Sequence, residues 1–404
     1  RTVRLGGGLE FDAIKADIHG LAGWENRNLF GGLRSFSVEL RPGVVLHPLR
    51  FNNIKPIERL LPEERFRVEF KQPGLFEART NGFIRQNVDI YPVLLTSHPP
   101  DDAPVLGYGE TQSSVGLERS LWKLYGAIAY NLQVDVPFPY KGEKDPNLDV
   151  LKISYPELYV SLDLRDNAQH PRSGFWMSNR LQVAGGIFGG DADDIKIQPD
   201  ARGYIPLGRR FVLASRASIG LLEPRNYGSV VANGPLLMGP DHDRTHDFQL
   251  TFFRGFFSGG PTQNRGYPVR GISPYDVIPF LSPEISAQRS DLACGTQCLS
   301  PTGGFTLWEA SVELRYTVTG PLSIATFIDT SDVAPQRHEF RFNHPHLSWG
   351  GGARYDTPVG PVRLDIGYRI PGLQVLGGLT RDEAPPPTIF GAPIAISLGI
   401  GEAY

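Results

Sequence analysis

Two histidines and three aspartates lie close together between positions 241 and 247, where the chain reads Asp-His-Asp-Arg-Thr-His-Asp. Imidazoles and carboxylates are common metal ligands, so this segment is the first candidate for chemistry. His242 and His246 would share one face of a helix, but their surroundings are typical of a loop between strands. We therefore expect a solvated polar turn here, with no bound metal ion.

Other patterns that could support catalysis are weak. The run 185–190, Gly-Gly-Ile-Phe-Gly-Gly, is not followed by a helix signal, which argues against a phosphate-binding loop. Neither a Gly-x-Ser-x-Gly elbow nor a zincin motif occurs in the sequence. The net charge of -3 gives no support for nucleic-acid binding. We predict that the protein is not an enzyme and needs no cofactor.

The two cysteines, Cys294 and Cys298, are separated by three residues in a stretch that is typical of a loop. A disulfide is the preferred interpretation, and it requires an oxidising compartment such as the bacterial periplasm or the cell surface. The alternative is a pair of unpaired thiols. A zinc site is disfavoured, since no second pair of ligands has suitable spacing.

The elements that must position such residues are strands with one apolar and one polar face. In Leu124–Val136 the even positions are apolar or glycine, whereas the odd positions include Asn131 and Asp135; Thr306–Val318 alternates in the same way. No run of about 18 apolar residues occurs, which excludes a transmembrane helix. Charged faces recur strand after strand, and this favours a barrel with lipid outside and a wet lumen inside over a soluble β-sandwich.

The predicted fold is all-β: a sixteen-stranded antiparallel transmembrane β-barrel that forms a single domain over residues 1–404. Its strands begin near Val3, Ile14, Arg34, Phe66, Phe83, Thr111, Leu124, Leu158, Phe175, Arg210, Phe248, Thr306, Leu322, Leu347, Val362 and Ile394. Short connections such as 319–321 alternate with long ones such as 255–304, as periplasmic turns and extracellular loops do. The connection Glu223–His246 is long where this scheme expects a short turn.

The segment Ser258–Tyr267 reads Ser-Gly-Gly-Pro-Thr-Gln-Asn-Arg-Gly-Tyr. It resembles the signature loop of the BamA/TamA outer-membrane assembly superfamily, slightly closer to TamA, in which a Gly-Gly pair precedes Val/Ile-Arg-Gly-Phe/Tyr in the sixth extracellular loop. Asn264 departs from that motif, and a second near-match at 269–272 lacks the aromatic residue. Segments 24–31, 162–174 and 357–368 resemble turns of the same family in the same order, and the chain ends on an aromatic residue, Tyr404.

The resemblance implies that the sixth loop folds into the lumen, where Arg265 pairs with acidic residues on the twelfth and thirteenth strands. Glu313 and Asp329 match those places, and the alternation puts both on the inward face. A buried arginine needs carboxylate partners, because a lone buried charge is costly. We name Asn264, Arg265, Gly266 and Tyr267, with these two acids, the lumen lock. The alternative is a solvated Arg265 on the surface.

The two strands that close the barrel are rich in glycine: Gly6, Gly7 and Gly8 lie in the first, and Gly399 and Gly401 in the last, which ends at Tyr404. Glycine weakens a strand through entropy and lost packing. This fits the lateral gate between first and last strands that the resemblance implies. Relief of crowding in a curved wall explains the glycines equally well.

The leading hypothesis is an assembly factor of the bacterial outer membrane that inserts or translocates client outer-membrane or secreted proteins. Two alternatives keep the fold: a two-partner secretion pore, and a passive anchor or diffusion pore. The resemblance also implies contact with outer-membrane lipid and with periplasmic or lipoprotein partners. The chain starts at Arg1 without a signal peptide, so we expect a mature product or a fragment, which periplasmic POTRA domains could precede.

Overall fold

Sixteen strands form one antiparallel sheet in which every strand pairs with its neighbours in sequence order. The computed structural model describes residues 1–11, 14–50, 54–94, 104–233, 241–277, 299–357, 360–370 and 392–400. The strands before the longest connection are β1 (Thr2–Phe11), β2 (Ala16–Asn26), β3 (Ser35–His47), β4 (Arg59–Gln72), β5 (Thr80–Pro92), β6 (Val105–Leu121), β7 (Leu124–Lys141), β8 (Leu151–Asp163), β9 (Gly174–Ala184), β10 (Asp194–Pro206) and β11 (Phe211–Pro224).

The connection 225–305, here called loop 6, carries two α-helices and two short strands. These are α1 (Ser229–Asn233), α2 (Asp241–Arg254), β12 (Tyr275–Val277) and β13 (Leu299–Pro301). The wall resumes with β14 (Thr306–Thr319), β15 (Leu322–Ala334), β16 (His346–Thr357), β17 (Gly360–Arg369) and β18 (Ile394–Ile400). None of the helices in the described part of the chain is both long and apolar enough to cross a membrane.

The wall is apolar outside and polar inside, the reverse of a soluble protein. Ile128 and Val312 point outward and are 55% and 50% exposed. Glu313, which follows Val312 directly, is fully buried. Successive residues of a strand face opposite sides, so this alternation separates a lipid-facing surface from a charged interior. The predicted sixteen-stranded barrel is confirmed.

Connections are short at one end of the barrel and long at the other. The hairpin between β6 and β7 needs only residues 122–123, and that between β14 and β15 only 320–321. Loop 6 leaves from the opposite end, together with the connection 335–345 between β15 and β16. We call these the short-turn end and the long-loop end.

Two strand assignments made from the sequence were wrong. Phe248 begins no strand but lies in α2, and the polar turn expected at 241–247 is the start of that helix. Strand β10 was not predicted at all, because Pro199, Gly203 and Pro206 within it resemble turn residues. One predicted strand is absent and one unpredicted strand is present, so the predicted number of sixteen is still correct. These two errors also explain the long connection Glu223–His246, which comprises the last two residues of β11 and the first part of loop 6.

Loop 6 packs into the long-loop end of the barrel. Apolar side chains of α2 and of the segment after it join inward-facing residues of the wall in the largest buried cluster. Its members include Phe248, Leu250, Phe252 and Phe256 of loop 6 and Tyr108, Leu151, Ile153 and Leu222 of the wall. The interior at this end is therefore a packed core.

Candidate functional site

A tight backbone path brings the lumen lock against the inner wall. Phe256 forms a β-bridge with Gly304, and Ser258 forms one with Ile272. Directly after Ser258, Gly259 and Gly260 adopt φ values of 99° and 101°, which side-chain-bearing residues rarely tolerate. A Cβ atom at Gly259 would also collide with the Pro268 carbonyl oxygen. The Gly-Gly pair thus directs residues 264–267 toward β14, β15 and β16.

Arg265 lies at the centre of the site and binds both predicted acids. Its Nε and one terminal nitrogen donate to the two carboxylate oxygens of Asp329, each at 2.8 Å. The other terminal nitrogen donates to Glu313, and the backbone N–H of Arg265 donates to Asp329 at 3.0 Å. All three side chains are essentially inaccessible to solvent. The fork geometry uses the bidentate match between guanidinium and carboxylate.

Further charged side chains extend this ion pair along the wall. Arg315 donates to Glu313 at 2.7 Å, and Arg354 bridges Glu313 at 2.9 Å and Asp365 at 3.2 Å. Each acid therefore faces at least one guanidinium, which is the condition for burying charge at tolerable cost. Asp365 lies on the inward face of β17, whose residues alternate between apolar and polar, but nothing in the sequence indicated that Arg354 would join the network.

The neighbours of Arg265 in the motif are also buried against the wall. Asn264, which departs from the family motif, donates to the His346 carbonyl oxygen at 2.7 Å and accepts from Ser348 at 2.7 Å. The Tyr267 ring packs edge-on to His346, with the ring centroids 5.6 Å apart. Asn264 also donates to Ser331 of β15 at 3.1 Å, so its polar side chain has hydrogen-bond partners on both β15 and β16. An aliphatic side chain at this position could make only van der Waals contacts.

Two glycines allow the loop backbone to touch the strands. A Cβ atom at Gly266 would overlap Ser348, and one at Gly367 would overlap the Arg265 carbonyl group. On the other side of Arg265, its guanidinium lies 3.4 Å from the centroid of the Phe327 ring. The arginine is therefore held between an aromatic face and two carboxylates, and its backbone lies directly on β17.

The second near-match of the motif has a different environment. Arg270 lies between the rings of Phe252 and Phe257, with its guanidinium carbon 4.7 and 4.9 Å from their centroids. Burial lowers the pKa of this guanidinium from its ordinary value. Arg270 thus stacks on aromatic rings of loop 6 and faces Tyr91 and Glu110 of the wall only through its charge. Arg265, by contrast, makes direct hydrogen bonds to the wall.

Helix α2 has its own attachment to the barrel. Arg254, its last residue, donates twice to Asp194 at 2.9 and 2.6 Å and once to Gln182 at 2.9 Å. Lys196 donates to the Arg254 carbonyl oxygen at 2.6 Å, which satisfies an acceptor that a helix end leaves open. Sequence reasoning missed this attachment because it did not predict α2 or β10.

The remaining candidate residues lie in the first and last strands or outside the described residues. Gly6, Gly7 and Gly8 pair with Leu21, Gly20 and His19 of β2, and Gly399 pairs with Arg363 of β17. The described residues do not include Cys294, Cys298, Gly401 or Tyr404. The disulfide and the aromatic terminus therefore stay predictions.

The fold and the site together define an outer-membrane β-barrel whose sixth loop is folded into its interior. Residues 124–372, more than half of the chain, match the model of the Omp85 superfamily domain. The protein belongs to the Omp85 superfamily, and its predicted location in the bacterial outer membrane is confirmed.

Three solved structures share this fold over the whole chain. BamA from Haemophilus ducreyi lacking POTRA domains 1–3 is 12% identical with a TM-score of 0.62, covering 100% of this chain and 75% of that one. CdiB from Acinetobacter baumannii is 12% identical with a TM-score of 0.57, covering 100% and 60%. CdiB from Escherichia coli is 9% identical with a TM-score of 0.55, covering 100% and 68%. At these identities the likeness concerns the fold, and this chain spans 60% of the Acinetobacter protein's length.

Proposed function

We propose that this protein inserts client β-barrel or autotransporter-like proteins into the outer membrane through a lateral gate between β1 and β18. The observation that carries the proposal is the lumen lock, in which Arg265 ties loop 6 to Asp329 and Glu313. A barrel whose interior is packed at the long-loop end is poorly suited to free diffusion. A client that cannot pass through the lumen would have to enter the membrane through an opening between two strands of the wall.

The seam between β1 and β18 supports this proposal. Glycines lie on both of these strands: Gly6, Gly7 and Gly8 in β1 and Gly399 in β18. Glycine in a strand interior weakens strand pairing through entropy and lost side-chain packing. We expect the seam to open more readily than other strand pairs.

An opened seam exposes unpaired N–H and C=O groups that a client strand can bind by β-augmentation. The client contributes the same alternation of apolar and polar residues, so its outward face would meet lipid as it pairs. Under this proposal the partners are client outer-membrane or secreted proteins, outer-membrane lipid, and periplasmic POTRA domains or lipoproteins that deliver the client.

A reversible covalent lock across the seam tests the gate. In a Cys294→Ser/Cys298→Ser background, Leu5→Cys with Leu398→Cys is the pair chosen to link β1 to β18. The matched control, Leu5→Cys with Ala22→Cys, places a disulfide between paired residues of β1 and β2 without crossing the seam. We expect client insertion to stop in the first variant and return on reduction, and to be normal in the control.

The second candidate is a secretion pore of the two-partner type, and the fold shared with CdiB favours it. In that case an unfolded exoprotein would pass through the lumen, and α2 would have to leave its place on the inner wall. The two functions separate in the crosslinking experiment. Unimpaired secretion with the seam locked would show that the client passes through the lumen and not through a lateral gate. Ion conductance without any effect on clients would indicate a passive pore.

A further inference from the structure

Three side chains of types that bind metal ions meet at the long-loop end. Asp332 lies near the end of β15, His344 lies in the connection to β16, and His346 is the first residue of β16. All three are buried. Within the described part of the chain, this is the one group of three or more such side chains whose ligand atoms could reach a common ion.

The distances suit a small tetrahedral ion. The Nδ1 atoms of His344 and His346 each lie 3.5 Å from Oδ1 of Asp332, and the ligand atoms all lie within 4.8 Å of one another. A tetrahedral ion with ligands at about 2.0–2.2 Å holds neighbouring ligand atoms about 3.3–3.6 Å apart. We propose that Asp332, His344 and His346 bind a divalent transition-metal ion of the zinc class.

The chemistry of the donors agrees with this assignment. Two imidazoles and one carboxylate form a borderline ligand set that suits zinc and disfavours calcium and magnesium, which take oxygen ligands. Three protein ligands leave the fourth tetrahedral position for a water molecule. The two histidines are separated by one residue, so both can approach the same ion from the start of a strand.

Arg341 is the charged group that faces this site. It donates to both oxygens of Asp332, at 2.9 and 3.0 Å. An ion on Oδ1 leaves Oδ2 for Arg341, so the guanidinium can orient the carboxylate as outer partners of metal ligands do. The positive charge also repels the ion, and we expect weaker binding than at a structural zinc site without such a neighbour.

The proposed metal site touches the lumen lock. Asn264 donates to the backbone carbonyl of His346, and the Tyr267 ring packs against the His346 ring. An ion that fixes His346 also fixes the strand end on which these two loop residues rest. The bound metal would therefore stabilise loop 6 inside the barrel, whether the barrel inserts clients or secretes them.

The test uses zinc with the untagged, metal-stripped barrel in detergent micelles, followed by calorimetric titration. We expect one zinc ion per chain. His344→Ala and His346→Ala should each weaken binding by more than the roughly 10- to 100-fold typical of losing an outer partner. His338→Ala is the matched control, because His338 lies in the same connection and is largely exposed. Barrel folding of each variant is checked by its heat-dependent mobility on gels.

Cobalt substitution in the unmutated protein gives an independent measurement. Four-coordinate cobalt absorbs visible light far more strongly than six-coordinate cobalt, so we expect an intense visible band that zinc abolishes. The proposal is overturned by a weak six-coordinate spectrum or by the lack of stoichiometric zinc binding. It is equally overturned if His338→Ala weakens binding as much as the two ligand variants do.

Discussion

Arg265 can bind two carboxylates at once because its guanidinium group carries several hydrogen-bond donors in a fixed plane. Its fork donates to both oxygens of Asp329 while a third nitrogen donates to Glu313. Lysine carries the same charge but is a single point donor, so it cannot satisfy two carboxylates with this geometry. The identity of the residue therefore matters beyond its charge.

Replacing Arg265 should release loop 6 without unfolding the wall. Arg265→Ala leaves Asp329 buried without its guanidinium, at a cost of about 3–5 kcal/mol. We expect cleavage within loop 6 by added protease and a strong loss of client assembly, with the barrel still folded. Arg67→Ala, an exposed residue that donates to Asn87, should change neither.

A second substitution makes this prediction more specific. In the double variant Arg265→Ala/Asp329→Asn the buried charge is gone, so part of the lost stability should return. A double variant that is no more stable than Arg265→Ala alone would show that the cost does not come from an uncompensated Asp329.

Gly367 makes a steric prediction at the same site. A methyl group there would collide with the Arg265 carbonyl group, so Gly367→Ala should push the loop from the wall and expose it to protease. Gly109→Ala is the control, since its Cβ atom would have the Val136 carbonyl oxygen at 3.9 Å as its neighbour. Equal protection of loop 6 in both variants would contradict the close approach.

Helix α2 is the element that fills the long-loop end of the barrel. Its attachment through Arg254 to Asp194 and Gln182 is buried and independent of the lumen lock. Gln249 adds hydrogen bonds to Tyr108 of β6 and to the Asp149 carbonyl oxygen. The helix is thus held at two places, by β9 and β10 through Arg254 and by β6 and the connection after β7 through Gln249.

Loosening α2 should open a path for ions. Arg254→Gln removes the bidentate pair and should weaken the attachment by about 3 kcal/mol, because Asp194 loses its charged partner. We expect larger or more frequent conductance steps in planar lipid bilayers than for the unmutated protein. Arg244→Gln, on the same helix near Phe248, is the control and should leave the conductance unchanged.

Whether an element could be predicted from the sequence depended on the period of its apolar residues. Alternation with period two placed the strands on either side of loop 6 because one face meets lipid and the other the lumen. It failed at α2, since Phe248, Leu250 and Phe252 alternate like a strand although they are helical. Inside a packed loop the helix buries several faces at once, so its own period is hidden.

The candidate site was more predictable than the helix beside it. The motif and the inward face of β14 and β15 selected Arg265, Glu313 and Asp329, and the structure brings these three side chains together. Their role as a lock stays a prediction. No pattern in the sequence indicated the cluster formed by Asp332, His344 and His346. The aspartate is twelve residues from the nearer histidine, and only the pairing of β15 with β16 brings them together.

The whole molecule combines a lipid-facing wall with strands longer than a bilayer requires. Strand β7 has eighteen residues, whereas about 9–11 tilted residues span the hydrocarbon layer. Its start at Leu124 adjoins the short-turn end, so the membrane should cover the first part of the strand. The rest would extend beyond the membrane at the long-loop end.

This placement predicts how the cost of a charge varies with depth. Ile128 should lie near the middle of the bilayer, and Ile128→Arg should destabilise the barrel by about 2–4 kcal/mol. Leu124→Arg, at the interface on the same outward face, should cost only about 0–1 kcal/mol. Urea titration of the barrel folded into lipid vesicles measures both values. If the two substitutions lower the free energy of unfolding equally, this placement of the membrane along β7 is wrong and Leu124 lies inside the hydrocarbon layer.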